Sequence, residues 1–83
     1  MLSRNQIKFI QSLKQKKFRL QYQLFVVEGE KMVNDFLNSD WEIEQVYAIK
    51  EWEGEAVEVT AKELARISSL KTPNKVLAIV KIP

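Results

Sequence analysis

The sequence predicts a small α/β domain with helices covering both faces of a mixed or parallel sheet. Helix-type and strand-type stretches alternate along the chain in the order α-β-α-β-(β)-α-β, the signature of layered folds. Three strand-length runs, at 24–27, 43–49 and 75–82, are rich in valine, isoleucine and aromatic residues. The stretches between them repeat apolar residues at helical spacing, which gives each helix one greasy stripe. A length of 83 residues fits one domain, taken as 1–83, with no internal repeat, low-complexity segment or linker.

Ser3 and Gln6 have the spacing of a capping box, so a helix starts near Arg4. Ile7, Ile10 and Leu13 share one side of it, flanked by Phe9, while Arg4, Lys8, Gln11 and Gln15 fall opposite. Continuing the helix would turn Lys14 and Lys17 towards the apolar side, so it is expected to end near 14–17. Leu24 to Val27 is apolar on both faces and reads as a central strand. Glu28-Gly29-Glu30 closes it, and Met32, Val33, Phe36 and Leu37 open a second helix that stops at Asn38-Ser39-Asp40. Ile43 to Ile49 forms the next strand, 51–55 an acidic loop, and Val57-Glu58-Val59 a short exposed strand. Thr60 with Glu63 is a second capping box, opening a helix through Leu64 and Ile67 towards Leu70. Thr72-Pro73-Asn74 turns the chain into a last strand, 75–82.

The composition excludes several classes of function. Cysteine and histidine are absent, which removes disulfides, the common zinc ligand sets and the commonest catalytic base. A reducing cytoplasm is compatible with that usage. The only glycines are Gly29 and Gly54, so neither a dinucleotide loop nor a phosphate-binding P-loop can form. No apolar run approaches the roughly 20 residues of a membrane span, and Met1-Leu2-Ser3-Arg4 does not lead into a signal peptide. Glu28 and Glu30 flank a strand-to-helix junction, where an acid is stabilised by free helix N–H groups by about 0.3–1 kcal/mol. Their expected role is structural, with Lys31 or a cation of 16–19 as a partner for Glu28, and Gly29 supplies a backbone angle or a close approach. Trp52 in the acidic loop is either an exposed contact or a lid on the core. Trp41 reads as the edge of the core.

Charge is the most informative feature. Residues 1–27 hold Arg4, Lys8, Lys14, Lys16, Lys17 and Arg19 and no acid, a net of +6. Residues 28–83 hold seven basic residues against eleven acids, a net of −4. This asymmetry points to a polyanion, nucleic acid first. Lys16, Lys17 and Arg19 lie where the first helix is expected to end and the chain to turn into a strand. Cations there would contact phosphates and release counterions, with Arg19 offering two donors and the lysines mobile point charges. Phe18 and Tyr22 interleave with them. Either can stack on an unpaired base, although Phe18 is expected to pack under the first helix.

The stretch IKFIQSLKQKKFRLQYQLFVVEGEKMVNDFL resembles the opening of the SpoU/TrmH family of RNA ribose 2′-O-methyltransferases. The pattern there is similar to "sL..KK.R" followed by "F.vEG.k.v.e.l". It is met by Ser12-Leu13, Lys16-Lys17, Arg19, Phe25, Val27-Glu28-Gly29, Lys31, Val33 and Leu37. Thr60, Leu64, Ser68, Thr72-Pro73 and Val76 to Val80 resemble the end of the same domain, so the likeness spans nearly the whole chain.

The resemblance implies a three-layer α/β/α sandwich similar to the ribosomal and kink-turn-binding proteins. It also implies a substrate-binding role on RNA, ribosomal or transfer, with Lys8, Lys16, Lys17 and Arg19 as contacts. In the family, a following knotted domain binds S-adenosylmethionine and transfers the methyl group. Its cofactor loops and catalytic arginine have no counterpart in 1–83, so no catalytic, cofactor-binding or metal residue is expected here, and a homodimer of the parent would form through that domain. One departure concerns the gap before the first strand. The family often places a glycine there, and this chain has Leu20-Gln21-Tyr22-Gln23-Leu24. Two other readings stand beside this one: a free-standing RNA-binding protein of the ribosomal or kink-turn type, and a protein-interaction module docking through its acidic 51–58 region.

Overall fold

The computed structural model describes residues 2–83. The first helix, α1 (Arg4–Ser12), opens on the expected capping box. Gln6 N–H donates to Ser3 Oγ at 3.1 Å and Ser3 N–H to Gln6 Oε1 at 2.8 Å. It stops earlier than expected, at Ser12, and a second short helix, α2 (Lys16–Tyr22), follows at once. The expected turn at 16–19 is therefore helical. Residue Gln23 closes α2 in the left-handed region, at φ 56°, and releases the chain into β1 (Leu24–Glu28). Then come α3 (Glu30–Leu37), β2 (Ile43–Ala48), β3 (Val57–Glu58), α4 (Ala61–Ile67) and β4 (Val76–Lys81).

The four strands form one mixed sheet in the order β1-β4-β2-β3. Strand β4 runs antiparallel to both β1 and β2, while β3 is parallel to β2. The centre of the sheet is thus β4, whose residues Val76 to Val80 are all at most 2% exposed. This corrects the placement of Leu24 to Val27 as a central strand: β1 is an edge. Its side chains are apolar on both faces because helices cover both faces of that edge. The first face packs Leu24, Leu77 and Ile79 against Ile7 and Ile10 of α1, Leu13 at its C-cap, and Leu64 and Ile67 of α4. The second packs Val27, Val46, Ala78 and Val80 against Val33 of α3. The sandwich is therefore three-layered, as expected. Truncating a β4 side chain such as Leu77 to alanine would cost about 2–5 kcal/mol through lost burial and a cavity.

Three details set the loops around this frame. Gly29 caps α3 at φ 96°, and its N–H donates to Val76 O at 3.0 Å. A Cβ there would meet Asn74 Nδ2 at 3.4 Å, an ordinary contact, so the position needs glycine for its conformation. Trp52 is buried, which selects the lid reading, and it packs in the α3-side core. The helix α4 ends at Ile67 because Ser68 takes an extended conformation (ψ 148°), which leaves Leu70 44% exposed instead of continuing the stripe. No helix of the described residues is long and apolar enough to cross a membrane.

Candidate nucleic-acid interface

The basic third of the chain folds into α1, α2 and the turn between them. Leu13 N–H bonds back to Ile10 O at 3.1 Å, tightening the end of α1, and the next helix starts three residues later. Lys16 and Lys17 then occupy the first turn of α2, with no acid in that turn and no side-chain cap from Gln15. Positive charge at a helix N-terminus opposes the helix dipole, at about 0.3–1 kcal/mol per charge. Local electrostatics do not favour these two lysines where they stand.

Arg19 sits on the inner side of α2. Its Nη1 donates to the carbonyls of Leu13 (2.9 Å) and Lys14 (2.8 Å), the orphan acceptors at the end of α1. It is half-buried, whereas Lys8, Lys14, Lys16 and Lys17 are exposed. A cleft of about 460 Å³ opens beside it, lined by Ile10, Leu13, Lys14, Arg19, Val26 and Ser69. Lys14, left out of the predicted contact set, therefore shares a surface with Arg19. The signal was present in its place within the run Lys14 to Arg19. The expectation that Arg19 acts simply as a two-donor phosphate clamp needs amending, since one of its nitrogens is held by the protein itself.

The aromatic residues link the predicted cations. Phe18, expected to pack under the first helix, is half-buried, and its ring stacks on Tyr22 at 6.2 Å between centroids, with 14° between planes. Tyr22 in turn meets Phe9 edge to face at 4.9 Å and 64°. Lys17 Nζ lies 4.9 Å from the centre of the Phe18 ring, a cation–π contact. Each ring touching Tyr22 thus has a predicted lysine immediately before it in the chain, Lys8 before Phe9 and Lys17 before Phe18.

Carboxylates are engaged elsewhere. Among the described residues the ion pairs are Lys31–Asp35, Lys75–Glu30 and Lys81 with Glu42 and Glu44. Glu42, and then Glu44, raise the Lys81 pKa. None of the six cationic heads of residues 4–19 takes part in such a pair. Glu28 does not pair with them or with Lys31. It accepts hydrogen bonds from the Ser68 hydroxyl and, at 2.8 Å, from Ser69 N–H. Among the described residues no cluster of three or more His, Cys, Asp or Glu side chains is placed to hold a metal ion.

Comparison with known proteins bears on the fold and the family. Residues 4–78 match the family model of the MRM3-like substrate binding domain. A protein from Porphyromonas gingivalis assigned to the TrmH family of RNA methyltransferases superposes with a TM-score of 0.82 at 34% identity, over 100% of this chain and 36% of its own. The rRNA methyltransferase of Sinorhizobium meliloti, solved with bound AdoMet, gives 0.81 at 27% identity, over 100% and 35%. An RNA 2′-O ribose methyltransferase shares the fold at 0.80 and 21% identity, over 98% and 36%. This chain thus spans about a third of the length of those proteins. No curated protein sequence matches it. The match over 4–78 places the chain in the family of MRM3-like substrate-binding domains.

Proposed function

We propose that this domain binds RNA, ribosomal or transfer, on behalf of an S-adenosylmethionine-dependent 2′-O-ribose methyltransferase acting in the cytoplasm. The cofactor and the methyl transfer belong to a part of the enzyme outside these residues. The observation that carries the reading is the cationic, acid-free sequence of α1 and α2. Lys8, Lys14, Lys16 and Lys17 are exposed there, and none has a carboxylate partner among the described residues. Two of them stand at a helix N-terminus, where the helix dipole disfavours them. Residues kept against a local rule mark functional sites more often than structural ones. Membership of a substrate-binding family, and neighbours named as RNA methyltransferases, support RNA as the polyanion.

The test is a titration of the domain against a structured RNA at several salt concentrations. Affinity is expected to fall steeply as salt rises, with a log–log slope set by the phosphates contacted. Replacing Lys8, Lys16 and Lys17 together by glutamine should flatten that slope by about one for each phosphate no longer neutralised. A Lys62→Gln control on α4 should leave it unchanged. Equal binding by the triple variant would reject the patch. A dimer indifferent to RNA at low salt would favour the protein-interaction reading instead.

A further inference from the structure

The helix α2 buries none of its seven residues. Only Phe18 and Arg19 are half-buried, and the other five residues are exposed, so most of the helix is presented to its surroundings. It presents Lys16 and Lys17, and it presents Tyr22, 42% exposed although Phe18 stacks on it and Phe9 abuts it. The three rings make a short column, with Lys17 over the ring of Phe18 and Lys8 next to Phe9 in the chain. The first carboxylate in the sequence comes only at Glu28. An exposed π-surface flanked by cations that have no carboxylate partner among the described residues is complementary to a nucleotide: phosphate for the lysines and a base for the ring.

We propose that Tyr22, backed by Phe18, is a stacking platform for an unpaired nucleobase. The inference rests on the RNA-binding reading above and adds to it the class of RNA recognised. A base inside a duplex has both faces covered by its neighbours, so only a loop, bulge or end offers a free face to the ring. Phe9 and Phe18 hold the Tyr22 ring in place before RNA arrives, which lowers the ordering cost of stacking. Lys17 can leave the Phe18 ring for a phosphate without unfolding α2, because among the described residues its amine has no ion-pair partner.

Stacking and phosphate contacts differ in their response to salt, and that difference makes the test. Two RNAs are titrated at about 50 mM and about 200 mM salt: a hairpin with 2-aminopurine unpaired in its loop, and a blunt duplex with the same number of phosphates. The wild-type domain is expected to prefer the hairpin and to quench the 2-aminopurine. Tyr22→Leu should lose about fivefold to a hundredfold in hairpin affinity, equally at both salt concentrations, with duplex affinity unchanged. Tyr22→Trp should restore binding and quenching. A folded Tyr22→Leu domain with wild-type hairpin affinity, or with the same loss on the duplex, overturns the proposal. Should Tyr22→Leu fail to fold, quenching by the wild type and by Tyr22→Trp decides, and its absence from both also overturns it. A wild-type domain that binds neither RNA at low salt removes the RNA-binding reading itself, whereas salt-sensitive binding without base preference removes only the platform.

Discussion

The Glu28 carboxylate accepts a hydrogen bond from the hydroxyl of Ser68, forty positions later in the chain. Its other oxygen accepts Ser69 N–H at 2.8 Å. One side chain at the end of β1 thereby holds the exit of α4, where Ser68 is buried at 6% exposure and its N–H still bonds to Leu64 O. Removing the acceptor would leave the buried Ser68 hydroxyl without a partner for its hydrogen, although its oxygen still accepts Leu70 N–H at 3.0 Å, so Glu28→Ala should lose about 1–3 kcal/mol of stability. Glu28→Gln keeps an acceptor oxygen and should lose less. A double-mutant cycle with Ser68→Ala, measured by urea unfolding, should return a coupling of about 0.5–3 kcal/mol. A coupling near zero would show that the bond contributes nothing to the fold.

Arg19 and the lysines beside it should separate in opposite directions. Arg19 Nη1 ties α2 to the last carbonyls of α1. Arg19→Gln should therefore lower stability by about 1–2 kcal/mol as well as weaken RNA binding. Lys16 and Lys17 repel the dipole of the helix they begin. Replacing both by glutamine should leave stability unchanged or raise it by up to about 1 kcal/mol while RNA affinity falls. Thermal unfolding alongside an RNA titration reads both quantities. A destabilised lysine double variant would mean that these charges serve the fold.

The parts of this fold that were legible in the sequence are those fixed by local chemistry. Both capping boxes, the stripe Ile7-Ile10-Leu13, the short exposed β3 and the buried run Val76 to Val80 all follow from spacing and residue type. The short helix α2 was not legible because it has no apolar stripe to betray it and no side-chain cap at Gln15. The edge position of β1 was hidden for another reason. A strand covered by helices on both sides is apolar on both faces wherever it sits, and composition reports the cover rather than the neighbouring strands. At the interface the charge was plain from the run Lys14 to Arg19. The contact between Tyr22 and Phe9, thirteen positions apart and on separate helices, depends on how α2 folds back.

Gln23, the cap between α2 and β1, is in the left-handed region, at φ 56° and ψ 46°. A side chain there costs about 1–2 kcal/mol relative to a right-handed conformation. Part of this is offset by its own bond, Nε2 to Leu20 O. Glycine would relieve the strain but add freedom to the unfolded chain. The net expectation for Gln23→Gly is a gain of about 0.5 kcal/mol, or a rise of about 2–4 °C in Tm for a domain of this size. Gln23→Val, β-branched and without the bond, should lose more than about 1 kcal/mol. Unfolding curves for the pair check this, and a Gln23→Gly domain less stable than the parent would show that the side-chain bond outweighs the strain.

Acid should weaken the domain through Glu63. Its Oε1 accepts Thr60 N–H at 2.9 Å to complete the α4 capping box, and its Oε2 accepts Leu2 N–H at 2.8 Å, so one carboxylate fastens the start of the chain to the start of α4. The Thr60 N–H first, and then the Leu2 N–H, hold its pKa below the ordinary value, which is about 4.3 for glutamate. A depressed folded pKa means that the unfolded chain takes up the proton first as pH falls. The contribution is therefore complete above the ordinary value and drains away between that value and the lower folded one. Glu63→Gln retains a neutral acceptor and a capping residue but cannot titrate. The gap in Tm between parent and variant should be constant from about pH 7 to about pH 5 and then close as pH falls below about 4. Circular dichroism melts across that range measure the gap. Parallel curves down to acid would mean that the carboxylate's charge plays no part in fastening the two segments, leaving the hydrogen bonds indifferent to whether their acceptor is ionised.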